Sequence, residues 1–220
     1  MIKVDVKTID VIIQGKPGSP LVIHQFGEKV KEEIRRKQQK KAKAKKDDRH
    51  PEQEFLDARY INDKGQECAP ITALKKCMVA AGTAMDNLTK VAIRQALFVM
   101  PPEDTASWLV PIKTLDGKDA VGVMREDAVT IGINTRGLAY RPCYDQWQLK
   151  VRVEYNPRLI SKDQLESLIA HAGWGVGLCE GRPERTSALG WGRFDVVSVE
   201  AVSDVPPGGV EHKNKIEIAA

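Results

Sequence analysis

The sequence predicts an α+β fold in which two helices pack on one face of an antiparallel sheet. The strand pattern is clearest at 147–155, where apolar and polar side chains alternate. Two further segments, 68–88 and 161–173, space their apolar residues three and four apart, as amphipathic helices do. Without its insertions the chain follows the order strand, helix, strand, strand, helix, strand. This order is the split βαβ arrangement of ferredoxin-like and RNA-recognition-like folds.

The amino-terminal part predicts a strand, a turn and a basic excursion from the core. Apolar residues at 2–13 form the strand pattern, and "GKPGSP" at 15–20 is a cluster of turn-forming residues. The chain then leaves the core at about 28–54 and returns to it. We predict a single domain over 1–202 that includes this excursion, and a loosely held carboxyl-terminal tail over 203–220.

The first core helix is predicted within 68–88. Pro70 suits its first turn, Thr72 is suited to cap it, and Gly82 is expected to interrupt it. One face of this helix is apolar and consists of Leu74, Cys77, Met78 and Ala81. The two lysines that lie between these positions therefore point away from the core.

The middle of the chain predicts shorter strands that are joined by turns. Strands are expected at 91–100 and 107–112, and a hairpin turn follows at 115–119. The segment "MREDAV" at 124–129 is interpreted as a polar turn. The alternation at 128–134 predicts another strand after that turn.

The strand at 147–155 is followed by the second core helix and the last strand. Its core-facing residues are Trp147, Leu149, Val151, Val153 and Tyr155, and its other face carries Gln148, Lys150, Arg152 and Glu154. The helix at 161–173 begins with a capping box at Ser161, and Gly173 is expected to end it. The last strand is predicted at about 194–202.

Composition narrows the class of protein. A chain of 220 residues with 42% hydrophobic residues can bury a sizeable core, and it has no apolar stretch of 18 residues for a membrane span. The amino terminus is predicted to be a strand and not a signal peptide, so we expect a cytoplasmic protein. The four scattered cysteines are expected to be reduced and to bind no metal: Cys68, Cys77, Cys143 and Cys179.

The net charge of +4 is concentrated in one segment. Residues 29–46 contain ten lysines and arginines against two glutamates, so the rest of the chain carries net negative charge. A block of like charge resists burial, because each buried ammonium would have to be desolvated. The basic segment is therefore predicted to protrude into solvent or to lie against an anionic partner, either a nucleic acid or the negatively charged body of a neighbouring copy.

The stretch "GWGVGLCEGRPERTSALGWGRFDVVSV" at 173–199 combines glycines, arginines and two tryptophans. It follows a helix, whereas a dinucleotide fingerprint follows a strand, and it lacks the Gly-Lys-Ser/Thr ending of a nucleoside triphosphate loop. No nucleotide cofactor is therefore predicted. The glycines favour close approach to a phosphate, which the arginines would neutralise. Trp174 and Trp191 are suited either to stacking on bases or to filling the core.

The chain contains "APITALKKCMVAA" at its first predicted core helix and "GWGRF" at 190–194, at the end of its glycine-rich loop. These two segments resemble the first helix and the end of the glycine-rich loop of the RAMP superfamily, which includes the backbone subunits of CRISPR effector complexes. The resemblance implies an RNA-recognition-like fold that binds a nucleic-acid backbone and often polymerises along it. Residues 55–200 are also similar to uncharacterised bacteriophage proteins, through "MREDAV", "YRPCYDQWQLKVRVEYN" and "AGWGVGLCEGRPE". The phage likeness implies no particular activity.

These observations predict a non-enzymatic, phage-type protein that binds single-stranded DNA or RNA and forms a homo-oligomer along it, with a helix as one arrangement. Phosphate contacts would supply most of the affinity. The predicted nucleic-acid-binding residues are Arg35, Arg36, Lys37, Lys40, Lys41, Lys43, Lys45, Lys46, Lys75, Lys76, Lys150, Arg152, Trp174, Arg182, Arg185, Trp191 and Arg193.

Two alternatives remain open at the level of sequence. The first is a structural or assembly protein whose basic arm docks on a neighbouring subunit. The second is a metal-independent endoribonuclease, in which His171 at a helix end pairs with Tyr140 or Tyr144. No nucleophile, base and orienting group can be identified together, and the carboxylates within 124–129 have no evident metal-ligand partners, so no catalytic residue is assigned.

Overall fold

A computed structural model describes most of the chain. The described residues are 4–25, 28–39, 49–86, 88–102, 108–130, 136–185 and 189–202. The predicted tail at 203–220 and the second half of the basic segment lie outside them.

The structure contains helices, strands and two short irregular turns. The strands are β1 (Lys7–Gly15), β2 (Leu21–Val22), β3 (Tyr60–Ile61), β4 (Glu67–Pro70), β5 (Leu97–Met100), β6 (Leu109–Pro111), β7 (Val123–Thr130), β8 (Arg136–Tyr144), β9 (Gln148–Tyr155) and β10 (Phe194–Ala201). The helices are α1 (Glu28–Gln38), α2 (Pro51–Asp57), α3 (Ile71–Ala81), α4 (Lys90–Ala96) and α5 (Lys162–His171). A 3₁₀ turn over Gly82–Ala84 follows α3, and a π turn over Ala172–Val176 follows α5.

The central sheet has the strand order β10-β1-β9-β5, and all three pairings are antiparallel. Helix α3 lies between β1 and β5 along the chain, and α5 lies between β9 and β10. The core therefore runs β1, α3, β5, β9, α5, β10, which is the split βαβ arrangement. The predicted α+β class, with an antiparallel sheet and two packing helices, is confirmed.

The alternation along β9 is confirmed in detail. Its core-facing side chains are buried: Trp147, Leu149, Val151, Val153 and Tyr155. The intervening side chains are half-buried or exposed and lie on the face of the sheet away from the two helices. Trp147 is completely buried, and its Nε1 donates a hydrogen bond to the Ser19 carbonyl at 3.1 Å. The largest core side chain therefore has its one polar group satisfied.

Helix α3 buries the predicted apolar face of Leu74, Cys77, Met78 and Ala81. It is shorter than predicted, because residues 67–70 form β4 and the helix gives way to the 3₁₀ turn at Gly82. Pro70 occupies the N-cap position and makes no side-chain capping hydrogen bond. The prediction that Thr72 caps the helix is wrong, since Thr72 lies within the first turn.

Two other local predictions need correction, and one strand was missed. The predicted strand at 91–100 is half helix: α4 occupies residues up to Ala96, and only the last four residues pair with β9. The predicted turn at 124–129 lies within β7, which pairs along its whole length with β8. The strand β8 was not predicted. Beyond Thr130, the rest of the strand predicted at 128–134 lies outside the described residues. The hairpin turn at 115–119 is confirmed.

Two small antiparallel sheets flank the core, one of order β2-β8-β7 and one of order β3-β4-β6. Glu67 of β4 joins them. Its buried carboxylate accepts hydrogen bonds from the Gly122 amide at 2.8 Å, the Tyr144 hydroxyl at 2.6 Å and Arg59 Nη1 at 3.0 Å. Burial, followed by this bond to Glu67, raises the pKa of Tyr144. A buried carboxylate with three donors fixes the small sheets relative to each other.

Helix α5 has the predicted capping box, in which Ser161 Oγ accepts from the Gln164 amide at 3.2 Å and Gln164 Oε1 accepts from the Ser161 amide at 3.0 Å. Gly173 does not end the helical segment. The backbone continues through the π turn and changes direction at Gly177, where φ is 76°. Gly173 is required at its own position for another reason, since a Cβ there would lie 2.2 Å from the Phe194 carbonyl oxygen.

We expect Ser161→Ala to lower the free energy of unfolding by about 1 kcal/mol, because an amide at the helix start loses its acceptor. The midpoint of thermal unfolding should fall by about 3 °C. Ser167→Ala makes the same chemical change on the exposed side of the same helix and should leave the midpoint within about 1 °C, since Ala favours helix. Equal shifts for the two variants would contradict the capping role.

Among the described residues, no helix is long and apolar enough to cross a membrane.

Candidate nucleic-acid interface

A cleft of about 800 Å³ lies over the outward face of α3. Its lining includes Thr72, Lys76 and Ala80, which recur every four residues and so share one face of that helix. Further lining residues come from α4 and from the glycine-rich loop that follows α5. The buried face of α3 forms the core, and its other face is left to line the cleft.

The charged residues that line the cleft are mostly basic. Its cations are Lys75, Lys76, Lys90, Arg94, Arg182 and Arg185. Only two carboxylates, those of Glu180 and Glu184, line it as well. Four of the seventeen predicted binding residues, Lys75, Lys76, Arg182 and Arg185, therefore come together here, although more than a hundred residues separate the two pairs in sequence.

Four of these cations are available to a ligand. Lys76, Lys90, Arg94 and Arg185 are exposed, and none of them forms an ion pair with another residue in the described part of the chain. Charges that are not already neutralised attract an anion most strongly, because no internal partner has to be displaced. These four are therefore the main electrostatic contacts that the cleft offers.

Lys75 has a structural role. Its Nζ donates to the carbonyl oxygens of Leu97 at 2.8 Å and Arg94 at 3.2 Å, at the carboxyl-terminal end of α4. The same ammonium lies 4.2 Å from the ring centroid of Phe98. Desolvation lowers the pKa of Lys75. The ammonium thus satisfies carbonyls that a helix end leaves free, and it joins α3 to α4.

Arg182 holds the shape of the glycine-rich loop. Its Nη1 donates to the Cys179 carbonyl at 2.7 Å, and its Nε donates to Glu184 at 3.0 Å. The Arg182 guanidinium forms hydrogen bonds within its own loop and still presents positive charge to the cleft. The Glu184 carboxylate compensates part of that charge. Arg185, three residues later, is exposed, and its charge is less compensated than that of Arg182.

The described part of the glycine-rich loop contains glycines at positions where a side chain cannot fit. A Cβ on Gly181 would lie 2.1 Å from the Trp191 ring. A Cβ on Gly192 would lie 2.0 Å from the Leu178 carbonyl oxygen, and φ at Gly192 is 66°. The carbonyl oxygen of Gly192 accepts from the Leu178 amide, and its own amide donates to the Pro20 carbonyl, each at 2.9 Å. The loop is therefore closed on itself and held to the turn after β1.

The two tryptophans of the loop have different environments. Trp191 is 8% exposed and packs with Val22 and Cys143, and Arg125 Cζ lies 4.4 Å from its ring centroid. It therefore fills a small core and is not free to stack on a base. Trp174 is 68% exposed, and its carbonyl accepts a hydrogen bond from Arg193 Nε at 3.0 Å. Neither Trp174 nor Arg193 lines the cleft.

An ion cluster around the buried Arg141 attaches the loop to the β7–β8 hairpin. Arg141 of β8 donates to Asp127 at 2.8 Å and to Glu180 of the loop at 3.5 Å. Arg125 donates to the other oxygen of Asp127 at 2.8 Å. Glu126 and Asp127, which the sequence suggested for a turn, are thus strand residues, and Asp127 links two arginines.

Lys150 and Arg152 lie on the face of the central sheet away from the helices, as predicted. Both contact Asp10 of β1: Arg152 Nε and Nη2 donate to its oxygens at 2.7 and 3.1 Å, and Lys150 Nζ lies 3.7 Å from it. This face is separated from the cleft by the sheet itself. The structure therefore does not bring these two residues together with the cleft cations.

The basic segment is helical where the structure describes it, in α1. Arg35 is exposed, and Arg36 Nε lies 3.4 Å from Glu32 Oε1 one turn earlier. The remaining predicted residues of the arm lie outside the described side chains: Lys37, Lys40, Lys41, Lys43, Lys45 and Lys46. Their assignment to nucleic-acid binding stays a prediction.

Sequence reasoning missed most of the lining, including its two other cations and its Tyr and Trp residues: Lys90, Arg94, Tyr60 and Trp108. The strand predicted at 91–100 begins after Lys90 and placed Arg94 on no particular surface, whereas the spacing of four residues places both cations on one face of α4. Trp108 lies just before β6 and contacts Tyr60, so its position depends on a pairing between distant segments that no local pattern reveals.

The predicted acid–base pair is not assembled with Tyr144. His171 is exposed, and its Nδ1 lies 2.9 Å from the Ser167 carbonyl oxygen on its own helix. Tyr144 is buried and donates its hydroxyl to Glu67. Within the described ranges, no group of three or more histidine, cysteine or acidic side chains is placed to hold a metal ion.

Comparison with known proteins finds a similarity among solved structures. No family model matches the chain, and no curated protein matches it. The crystal structure of Cmr6 from Pyrococcus furiosus aligns with 88% of this chain and 98% of that one, at 11% sequence identity and a TM-score of 0.40. At that score the similarity carries no argument about function, and the fold assignment rests on the strand order of the central sheet.

Proposed function

We propose that this protein binds single-stranded nucleic acid, with RNA as the first candidate, in the cleft over α3. The observation that carries the proposal is the charge of the cleft lining, which contains six lysines and arginines but only two glutamates. A polyanion is the ligand that such a set of charges recognises best, since each lysine or arginine that binds a phosphate releases counterions condensed on the strand. The sequence resemblance to the RAMP superfamily, which implies binding to a nucleic-acid backbone, favours the same ligand.

The proposed contacts are to phosphates more than to base edges. Lysine and arginine side chains on α3, α4 and the loop reach an anion from three elements, which would fix the path of a strand. Contacts of this kind carry little sequence information. Binding is therefore expected to be general for single strands and to depend strongly on salt.

The finer predictions belong to the same proposal. They are the oligomer along the strand, the contribution of the basic arm, the phage-type origin and the absence of catalysis. The experiment for the oligomer is a size measurement after nuclease treatment, with and without residues 29–46. Persistence of the oligomer without nucleic acid, and its loss on deletion of the arm, would favour an assembly protein instead.

A salt series tests the proposal directly. Fluorescently labelled single-stranded RNA and DNA of about 20 nucleotides are titrated with the protein between about 50 and 300 mM salt. With four uncompensated cations, the slope of log affinity against log salt concentration should be about −3. Absence of binding at about 50 mM salt, where phosphate contacts are strongest, would reject the proposal.

A further inference from the structure

Trp108 lies in the cleft with its indole ring accessible. It is 48% exposed, and its ring centroid lies 5.4 Å from that of Tyr60 at an interplanar angle of 81°. Its carbonyl accepts a hydrogen bond from the Ile71 amide at 3.0 Å, where α3 begins. The ring is therefore fixed beside the floor of the cleft by an edge-to-face contact and by an anchored backbone.

Trp108 is much more exposed than the two tryptophans that pack in the core. Trp147 and Trp191 are 0% and 8% exposed, so the fold buries tryptophan where it serves packing. Tyr60, by contrast with Trp108, is partly buried, and desolvation raises its pKa. Tyr60 thus supports a neighbouring ring that remains open to the cleft. A fixed aromatic surface that the core does not use is available to a flat ligand.

The chemistry around Trp108 specifies what kind of ligand this is. The same cleft contains the uncompensated cations Lys76, Lys90, Arg94 and Arg185. An acidic peptide would match the charge but has no regular flat group for the indole. An unpaired polynucleotide matches both features, because it alternates phosphates with π-faces that stack on aromatic side chains.

We infer that Trp108, supported by Tyr60, is the stacking platform for one unpaired base of a strand whose phosphates lie on the cleft cations. The inference rests on the proposed function and adds the part of the ligand that is recognised besides phosphate. It accounts for a preference for single strands, because a base inside a duplex is already stacked on its neighbours and cannot reach the indole.

The test measures binding of an oligonucleotide of about eight nucleotides, a length within the usual range of single-strand sites. Three variants are compared with the unmodified protein: Trp108→Phe, Trp108→Leu and Trp108→Ala. Leucine keeps apolar volume against Tyr60 but has no π-face, so it separates stacking from packing. We expect Phe to bind within about threefold of the unmodified protein, and Leu and Ala to bind about 30-fold more weakly. The salt slope should not change in any variant.

Two further readouts distinguish this inference from the proposed function. The first readout uses a Trp174→Phe variant, in which Trp147 and Trp191 are buried and Trp108 is the remaining exposed tryptophan. Quenching of tryptophan fluorescence by the oligonucleotide would then report stacking on Trp108. A fully abasic oligonucleotide of the same length should bind the unmodified protein about as weakly as the Leu variant binds the normal one. Equal binding of Leu and unmodified protein, without quenching, overturns the platform but leaves the charged cleft intact. Absence of all binding overturns both.

Discussion

Reversing two charges of the cleft, with Lys76→Glu and Arg185→Glu in one chain, is expected to weaken binding of single-stranded RNA at least about 100-fold at about 100 mM salt. Each phosphate contact on a single strand adds about 0.7 to the salt slope, which corresponds to roughly fivefold in affinity at this salt. Loss of two contacts thus costs roughly 25-fold, and the added repulsion raises the loss further. Both residues are exposed and make no ion pair among the described residues, so the fold should tolerate the change.

The matched control is Lys7→Glu with Arg158→Glu, which changes the net charge by the same amount. Lys7 begins β1 and Arg158 follows β9; both are exposed, and neither lines the cleft. If binding depends only on net charge, the two double variants will weaken it equally. If the cleft is the site, the control should stay within about threefold of the unmodified protein and keep its salt slope. Equal losses in both would reject the cleft as the interface.

The elements that sequence reasoning identified share a strong local signal. The strand β9 alternates over its whole length, and α5 begins with a capping box, so both patterns are complete within ten or so residues. The α3 stripe is likewise local. Because these elements supply one of the two inner strands and both packing helices, the split βαβ core could be predicted from their order along the chain.

The elements that escaped prediction depend on tertiary contacts. Residues 91–96 are rich in apolar and β-branched side chains and suit a strand, yet they form α4, with Thr89 accepting from the Ala92 amide and Ile93 and Ala96 buried. The β7–β8 hairpin carries three consecutive charged residues, at 125–127, that resemble a turn in sequence. Pairing of the two strands and the cluster of Arg125, Asp127 and Arg141 stabilise it, and no local pattern encodes that cluster.

The candidate site was predictable only in part for the same reason. The lysines of α3 and the arginines of the loop were identified by their charge, but their meeting in one cleft follows from the packing of the π turn against α3. The arginine on β9 was equally basic in sequence, and the structure pairs it with Asp10 instead. Charge in a sequence therefore identifies candidates, and the fold decides which of them face a common ligand.

Gly192→Ala is expected to lower the free energy of unfolding by about 4 kcal/mol, the second large effect in this chain. The new Cβ would lie 2.0 Å from the Leu178 carbonyl oxygen and 2.7 Å from its amide nitrogen, and both are backbone atoms that cannot rotate away. The positive φ at this position adds strain for any residue with a side chain. Relief requires separating Leu178 from Gly192 and breaking a backbone hydrogen bond between them. The thermal midpoint should fall by about 12 °C.

Gly190→Ala is the control that separates crowding from backbone strain. Its φ is 65°, nearly the same as at Gly192, but the nearest atom to a new Cβ is Arg193 Cδ at 3.9 Å. The alanine there has the same unfavourable backbone conformation in open space, so the cost should be about 1 kcal/mol and the midpoint should fall by about 3 °C. A much larger loss of unfolding free energy for Gly192→Ala than for Gly190→Ala would mean that the glycine-rich loop is tightly packed beside the cleft. Equal small losses would mean that the loop moves aside, and a loop that moves aside could not hold Arg182 and Arg185 in place for a strand.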